Sequence, residues 1–326
     1  DQPRSRGLGD VYKRQPYGHY ENQKLTSMVI DSHFNVYWKN QEVKTSGIGY
    51  VASYPEFRGN GAIRQLMTKS LRDNYEKGVI FSYLAPFSYA FYEKFGYHYA
   101  FNQKHYRLAA QDFPKGKRSA GEISREKFEF DDENASEFSV SKNTALFKVL
   151  TEVHQKADNQ GSLVRSPELW SYFFSFKSQP HCAIYRENGK ALGYLLYEFS
   201  EMTFVIKELI TLTNEAKQAL CRFISSHAGS FSEISWQAPS DILLEEELTE
   251  PQRAEIKLVP YMQARIVNLQ EFLKVHGQPD FSVEITDEII PENNISLGEG
   301  KREKMTIGQF TAKILKENQA ILREYF

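Results

Sequence analysis

Arg58-Gly59-Asn60-Gly61 stand between a strand-like run at 51–55 and a helix-like run from 61, joining a positive charge to two residues without side chains. A helix N-terminus presents unpaired N–H groups and a partial positive charge, so a diphosphate can sit there. The backbone must approach closely, and glycines leave that room. The same four residues also make a plain tight turn. The loop is not a Walker motif, since no Gly-Lys-Ser/Thr follows, and Ile63 stands where the dinucleotide fingerprint needs a small residue. Downstream, APFSYAFYEKFGY (85–97) crowds Phe91, Tyr92, Phe95 and Tyr97 together, either as core packing or to present a phenol, with Tyr89 as a second phenol. His181-Cys182 has no carboxylate or histidine at ligand spacing, so no metal is expected. Glu245-Glu246-Glu247 reads as a solvated helix face, and no Ser or Cys has an evident base partner.

The elements that must position these residues follow from periodicity. LTSMVIDSHFNVYWK alternates, and predicts one strand that turns near Asp31-Ser32 to pair with another over 34–38. A strand over 47–54 leads into a helix over 61–75, whose Ile63, Leu66, Met67, Leu71 and Tyr75 keep the i, i+3, i+4 spacing. Gly78 ends it, a strand follows over 79–84, Pro86 breaks the chain, and a short helix over 88–95 precedes a strand over 97–108. The order β-β-β-α-β-α-β implies a mixed sheet. Residues 111–127 read as a linker or hairpin. Helices over 135–156 and 167–176, strands over 181–186, 191–198 and 203–213, a helix over 215–226 and a strand over 231–237 repeat the order of the first half, as a duplicated fold would. The second half's counterpart of the loop, 210–217, has neither glycine nor arginine; Asn214 reads as its helix cap, and Glu215 repels phosphate. One active site per chain is expected. A third stretch has a helix over 269–275, a strand over 281–285 and a helix starting over 306–310.

With 326 residues, 41% of them hydrophobic, two or three domains are expected. Forty basic against 42 acidic residues argue against nucleic acid as a partner, and no apolar run approaches membrane-spanning length. Cys182 and Cys221 lack metal-ligand spacing and suit a reducing, cytoplasmic setting. Residues 1–15 have no periodicity and resemble translated adaptor sequence; they are set aside as a non-native leader, the protein proper beginning near Pro16.

GIGYVASYPEFRGNG resembles the coenzyme loop of the GNAT acetyltransferase superfamily, and SYLAPFSYAFYEKFGY its tyrosine segment. With the domain order and the terminal REYF, the chain looks like the Eis (enhanced intracellular survival) acetyltransferases. That resemblance implies an α/β (α+β) fold of two tandem GNAT-like mixed-sheet domains plus a small sterol-carrier-like α+β C-terminal domain. The boundaries expected are 16–112, 120–265 (degenerate) and 266–326 (abbreviated between 294 and 321). The family's opening strand and two helices have no counterpart before Pro16, so the first domain reads as truncated. The resemblance further implies acetyl-CoA as co-substrate, a primary amine acceptor (an aminoglycoside-like polyamine or a lysine), and a homo-oligomer, a hexamer. Val51, Ala52 and Ser53 would meet the pantetheine; Gly59, Asn60, Gly61, Ala62, Ile63 and Arg64, with Arg58, would wrap the pyrophosphate; Phe87 and Ser88 would lie beside the thioester arm. Tyr92 would protonate the departing thiolate, as a phenol with pKa about 10 suits a thiolate of similar basicity. Phe326 would serve as general base through its terminal α-carboxylate. The rival reading is a non-catalytic scaffold that binds an acyl ligand or a partner.

Overall fold

The computed structural model describes residues 13–129, 140–176 and 180–324. In chain order the elements are β1 (Lys13–Glu21), β2 (Lys24–Trp38), β3 (Gln41–Ser53), α1 (Ala62–Glu76), β4 (Phe81–Leu84), α2 (Tyr89–Glu93) and β5 (His98–Ala109). There follow β6 (Glu122–Glu126), α3 (Val140–Lys156), α4 (Pro167–Phe176), β7 (His181–Glu187), β8 (Lys190–Ser200), β9 (Thr203–Thr211), α5 (Asn214–Ser225) and β10 (Glu233–Pro239). The chain continues with β11 (Glu255–Ile266), α6 (Leu269–His276), β12 (Val283–Thr286), β13 (Ile295–Leu297), β14 (Glu303–Thr306) and α7 (Ile307–Glu317). Two compact units result. The first takes the chain up to Phe101, Gln160–Val164 and Pro260–Ala320; the second takes Asn102–Asn159, Arg165–Val259 and the residues from Ile321.

In the first unit β1, β2 and β3 form an antiparallel meander, β4 joins β3 in parallel, and the end of β11 lies antiparallel on β4. The turn expected at Asp31-Ser32 is not there, because β2 runs unbroken for 15 residues. Three strands still precede α1, by a different partition: β1 supplies the missing one, and Lys13–Gln15, set aside with the leader, pair with His33, Ser32 and Asp31. α1 buries Ala62, Leu66, Met67, Ser70, Leu71 and Asn74; of the stripe its periodicity predicts, Leu66, Met67 and Leu71 are buried and Ile63 and Tyr75 half-buried, while the polar Ser70 and Asn74 lie outside that pattern. Leu66, Met67 and Leu71 share one apolar cluster with Tyr17, Val29, Ile48 and Leu84. Further along, Phe272 of α6 packs on Trp38 and Phe81, with ring centres 6.0 and 5.7 Å away, and β12 is flanked by β13 and β14.

Asp31 explains why β2 does not turn. Its buried carboxylate accepts from Ser46 Oγ at 2.6 Å, Ser70 Oγ at 2.7 Å and Asn74 Nδ2 at 2.5 Å, tying β2 and β3 to α1. Burial by itself would raise this carboxyl; contacts from His33, Ser46, Ser70 and Asn74 outweigh burial and hold it below the usual range. A carboxyl depressed in the folded state contributes stability above its unfolded pKa and loses it as pH falls through the folded one. Asp31→Asn is therefore expected to cost about 2–3 kcal/mol at neutral pH. The gap to the parent in urea unfolding should narrow as pH falls below about 4. A gap of equal size at low and neutral pH would show that the charge is not what matters.

In the second unit β5 and β10 are antiparallel, β10 and β9 parallel, and β9, β8, β7 and β6 antiparallel in turn. α5 buries Ala216, Ala219, Leu220, Cys221 and Ile224 against that sheet's core. Its cap is Thr213, whose side chain accepts from Ala216 N at 3.1 Å; Asn214, the expected cap, is already the first helical residue. The acidic run at 245–247 is a short 3₁₀ turn rather than a solvated helix face. Glu245 pairs with Lys104 Nζ at 2.7 Å and accepts from the Tyr106 hydroxyl, and Glu247 pairs with Lys217. The sequence pattern does not announce β11, because Pro260 interrupts it and its first residues are exposed, which demotes a strand by pattern. Among the described residues no helix is long and apolar enough to cross a membrane.

Candidate active site

β3 and β4 pair in parallel from Thr45–Phe81 to Ile48–Leu84, and there β4 ends. β3 continues to Ser53, held on its other side by β2 through Ala52–Met28 and Ser53–Ser27. Among the described residues the β4-side ladder of β3 therefore stops at Ile48, leaving the edge at 49–53 to pair with an extended, amide-bearing chain as a further strand would. The ladder with β2 is irregular between Met28 and Ile30, and opposite that bulge Tyr50 takes φ 50°. A left-handed aromatic residue is unusual, and a bulge re-aims the backbone groups beside it.

The chain then turns through Pro55–Phe57 into the loop. Gly59 and Gly61 lie at φ 84° and 83°, and a Cβ added to either would meet nothing within 4 Å. Their glycine character thus answers a backbone demand, with open space in front of the loop for a ligand to approach. Gly61 is the N-cap of α1 and no side chain caps from that position; Asn60 Oδ1 instead accepts from Ala62 N at 3.0 Å. Asn60 Nδ2 donates to Glu21 Oε1 at 2.9 Å, a loop contact that no local pattern signals, since Glu21 lies in β1. Gln65 N–H enters the helix ladder on Gly61 O and Ala62 N–H is taken by Asn60, so Ile63 and Arg64 carry the first-turn N–H groups that precede the ladder. Arg58 and Arg64 are exposed, and among the described residues neither enters an ion pair.

Tyr92 sits in α2, after β4 and the Ala85–Ser88 connection. It is 3% exposed, and its ring meets Phe91 and Phe87 edge-on at 5.0 and 5.3 Å. Burial pushes its phenol up to about 12, so the hydroxyl keeps its proton. Val51 and Ile63 pack against the same apolar cluster as Tyr92, which is how the β3 edge, the start of α1 and the phenol come together. Phe87 is exposed beside Tyr92, and Ser88 is the N-cap of α2. Tyr89 is half-buried against Tyr99, 6.0 Å between ring centres. Phe326 lies outside the described residues. The chain leading to it is anchored in the second unit: Leu322 is buried, Arg323 Nη2 pairs with Asp241 at 3.0 Å, and the buried Glu324 lies 3.4 Å from Arg165 Nη2.

The second unit repeats the parallel pair, from Thr203–Glu233 to Ile206–Trp236, without the cradle. Thr213 satisfies the helix start itself, and Leu244 and Leu248 join the core cluster beside Trp236 and Cys221. Both cysteines are buried with thiols pushed up, Cys221 to about 12, so neither is a ready nucleophile. Among the described residues no group of His, Cys, Asp and Glu is placed to hold a metal ion.

Residues 6–100 match the family described as acetyltransferase (GNAT) domain, and residues 161–266 match a second family of the same description. No curated protein matches the chain. A solved structure from Enterococcus faecalis V583, a conserved protein of unknown function described as a probable N-acyltransferase, is 30% identical, with 96% of this chain and 89% of that one covered and a TM-score of 0.79. A GCN5-related N-acetyltransferase from Anabaena variabilis is 21% identical, with 94% and 83% covered and a TM-score of 0.74. Eis1 from Mycobacterium abscessus is 17% identical, with 96% and 84% covered and a TM-score of 0.72; these last two likenesses speak to the fold.

Proposed function

The chain belongs to the GNAT acetyltransferase family, and on that premise we propose that its first unit moves the acetyl group of acetyl-CoA directly onto a primary amine. The observation that carries this reading is the β3 edge released at Ile48 and running into a left-handed glycine loop at the start of α1. Val51, Ala52 and Ser53 would pair with the amides of the pantetheine arm, and Gly59–Arg64 with Arg58 would hold the pyrophosphate. Phe87 and Ser88 would flank the thioester. The amine nitrogen bonds to the thioester carbonyl carbon as the carbon–sulfur bond breaks. A strand N–H near 51–53 would stabilise the charge on the carbonyl oxygen. The amine's proton passes to the Phe326 carboxylate, and Tyr92 gives its proton to the departing sulfur. Acceptors of the aminoglycoside-like polyamine or lysine class suit this chemistry. The family resemblance further supports a sterol-carrier-like character for residues 266–326 and a hexameric assembly, and the buried thiols of Cys182 and Cys221 suit a cytoplasmic setting.

Acetyl-CoA at 100 times its dissociation constant should stabilise the protein by about 2.7 kcal/mol in a thermal-shift experiment. Titration calorimetry should find one coenzyme per chain, since the second unit has no cradle. No shift would sink the enzyme reading in favour of a scaffold. Gly61→Ala places a methyl at φ 83° on the loop's open side. It should raise KM for acetyl-CoA about tenfold with kcat at saturation nearly unchanged, the signature of lost uniform binding. A fall in kcat with unchanged KM would move the loop out of the binding role.

A further inference from the structure

The segment 85–97 holds the end of the helix that carries Tyr92 with its own turn, Phe95 and Tyr97 N–H on Tyr92 O and Gly96 N–H on Glu93 O, and supplies little to its start. α2 has five residues, too few to stand on its own ladder, and Ser88 makes no side-chain capping hydrogen bond. Two side-chain hydrogen bonds to its flanking carbonyls come from β11, more than 160 residues further along the chain. Gln263, fully buried, donates Nε2 to Tyr89 O at 3.3 Å. Arg265, also fully buried, donates Nη1 to Phe95 O and Nη2 to Asp287 Oδ2. Two residues apart on one strand, these side chains share a face and reach carbonyls on either side of Tyr92. Asp287 is itself held by Asn293 Nδ2 at 2.8 Å and by the N–H groups of Ile289 and Ile290 at 3.0 and 3.1 Å.

Gly96 completes the grip. It lies at φ 78°, and an added Cβ would stand 2.8 Å from Arg265 Nη1 and 2.9 Å from Ile307 Cγ2. A Cβ on Gly308 would stand 2.6 Å from Gly96 O, so the turn after α2 is pressed between β11 and the start of α7. An apolar residue would fill this space at lower desolvation cost than a guanidinium. What an apolar residue lacks is direction: hydrogen bonds to carbonyls before and after Tyr92 set the roll of a one-turn helix, and with it the line of the phenol O–H.

We propose that Gln263 and Arg265 are positioning residues for Tyr92, and that the chain from 260 onward, with Asp287 and α7, serves the first unit by aiming this helix. The proposal rests on the reading of Tyr92 as the acid. Gln263→Met removes the amide donor at nearly constant volume, and Arg265→Lys keeps the charge but loses the fork that spans Phe95 O and Asp287. Coenzyme A release would be measured with kanamycin, spermidine or a lysine peptide as the amine. Each variant should lower kcat about tenfold or more, since small misplacements of a reacting group carry losses of that order, with KM for acetyl-CoA nearly unchanged. Amide hydrogen exchange should quicken over 89–97 and stay unchanged in α1. On a Tyr92→Phe background the same substitutions should change kcat less than about twofold, because they act through the missing hydroxyl. A full-sized loss on that background, an unchanged kcat on the parent background, or unchanged exchange over 89–97 overturns the proposal. A Tyr92→Phe protein as active as its parent overturns instead the assignment of Tyr92. Should Arg265→Lys fail to fold, Gln263→Met carries the same comparison.

Discussion

Tyr92→Phe is expected to lower kcat about 100-fold, at the lower end of what a positioned general acid contributes, with KM for acetyl-CoA within about twofold. The substitution removes one oxygen and leaves the ring contacts with Phe87 and Phe91, so folding should be preserved. Its pH dependence is the sharper readout. Because burial pushes the phenol up to about 12, the acid form persists through the accessible alkaline range. The ratio of parent to variant kcat should therefore stay constant between about pH 7 and pH 10. A ratio that collapses within that window would mean the phenol ionises there; a ratio near one throughout would remove Tyr92 from the chemistry.

Adding a few residues after Phe326 is expected to lower kcat by about 100-fold while thermal shift by acetyl-CoA stays unchanged. The extension converts a carboxylate of ordinary pKa about 3.3–3.7 into a neutral amide, which accepts no proton from the amine. Proteolytic removal of the extension back to Phe326 should restore turnover. Phe326→Ala, which keeps a terminal carboxylate, should cost far less than the extension. Equal turnover with and without the extension would take the carboxylate out of the mechanism.

How much of this was legible beforehand differs element by element. α1 was readable to within a residue at each end because its apolar residues repeat at the helical period, and Gly59 and Gly61 were readable as a loop because each residue type carries its own backbone preference. The segment around Tyr92 was recognisable through the residues next to it in sequence. β2 was misread because Asp31-Ser32 has the composition of a turn, and only Ser46, Ser70 and Asn74, brought up from β3 and α1, make a buried carboxylate stable inside a strand. Thr213 displaced Asn214 as a cap through a single step of register, below what composition resolves.

By itself the sequence determined the local signals: the glycine loop at a helix start, the phenol downstream, and the loss of that loop in the second half. Those depend on preferences of single residues and on short periods, so they are written in neighbouring positions. The tertiary structure alone decided that β3 outruns β4, that Glu21 reaches Asn60, and that Gln263 and Arg265 hold the helix of Tyr92. Each of these is a pairing across tens to hundreds of residues, and its energy comes from burial and hydrogen bonds that exist only once the partners have met.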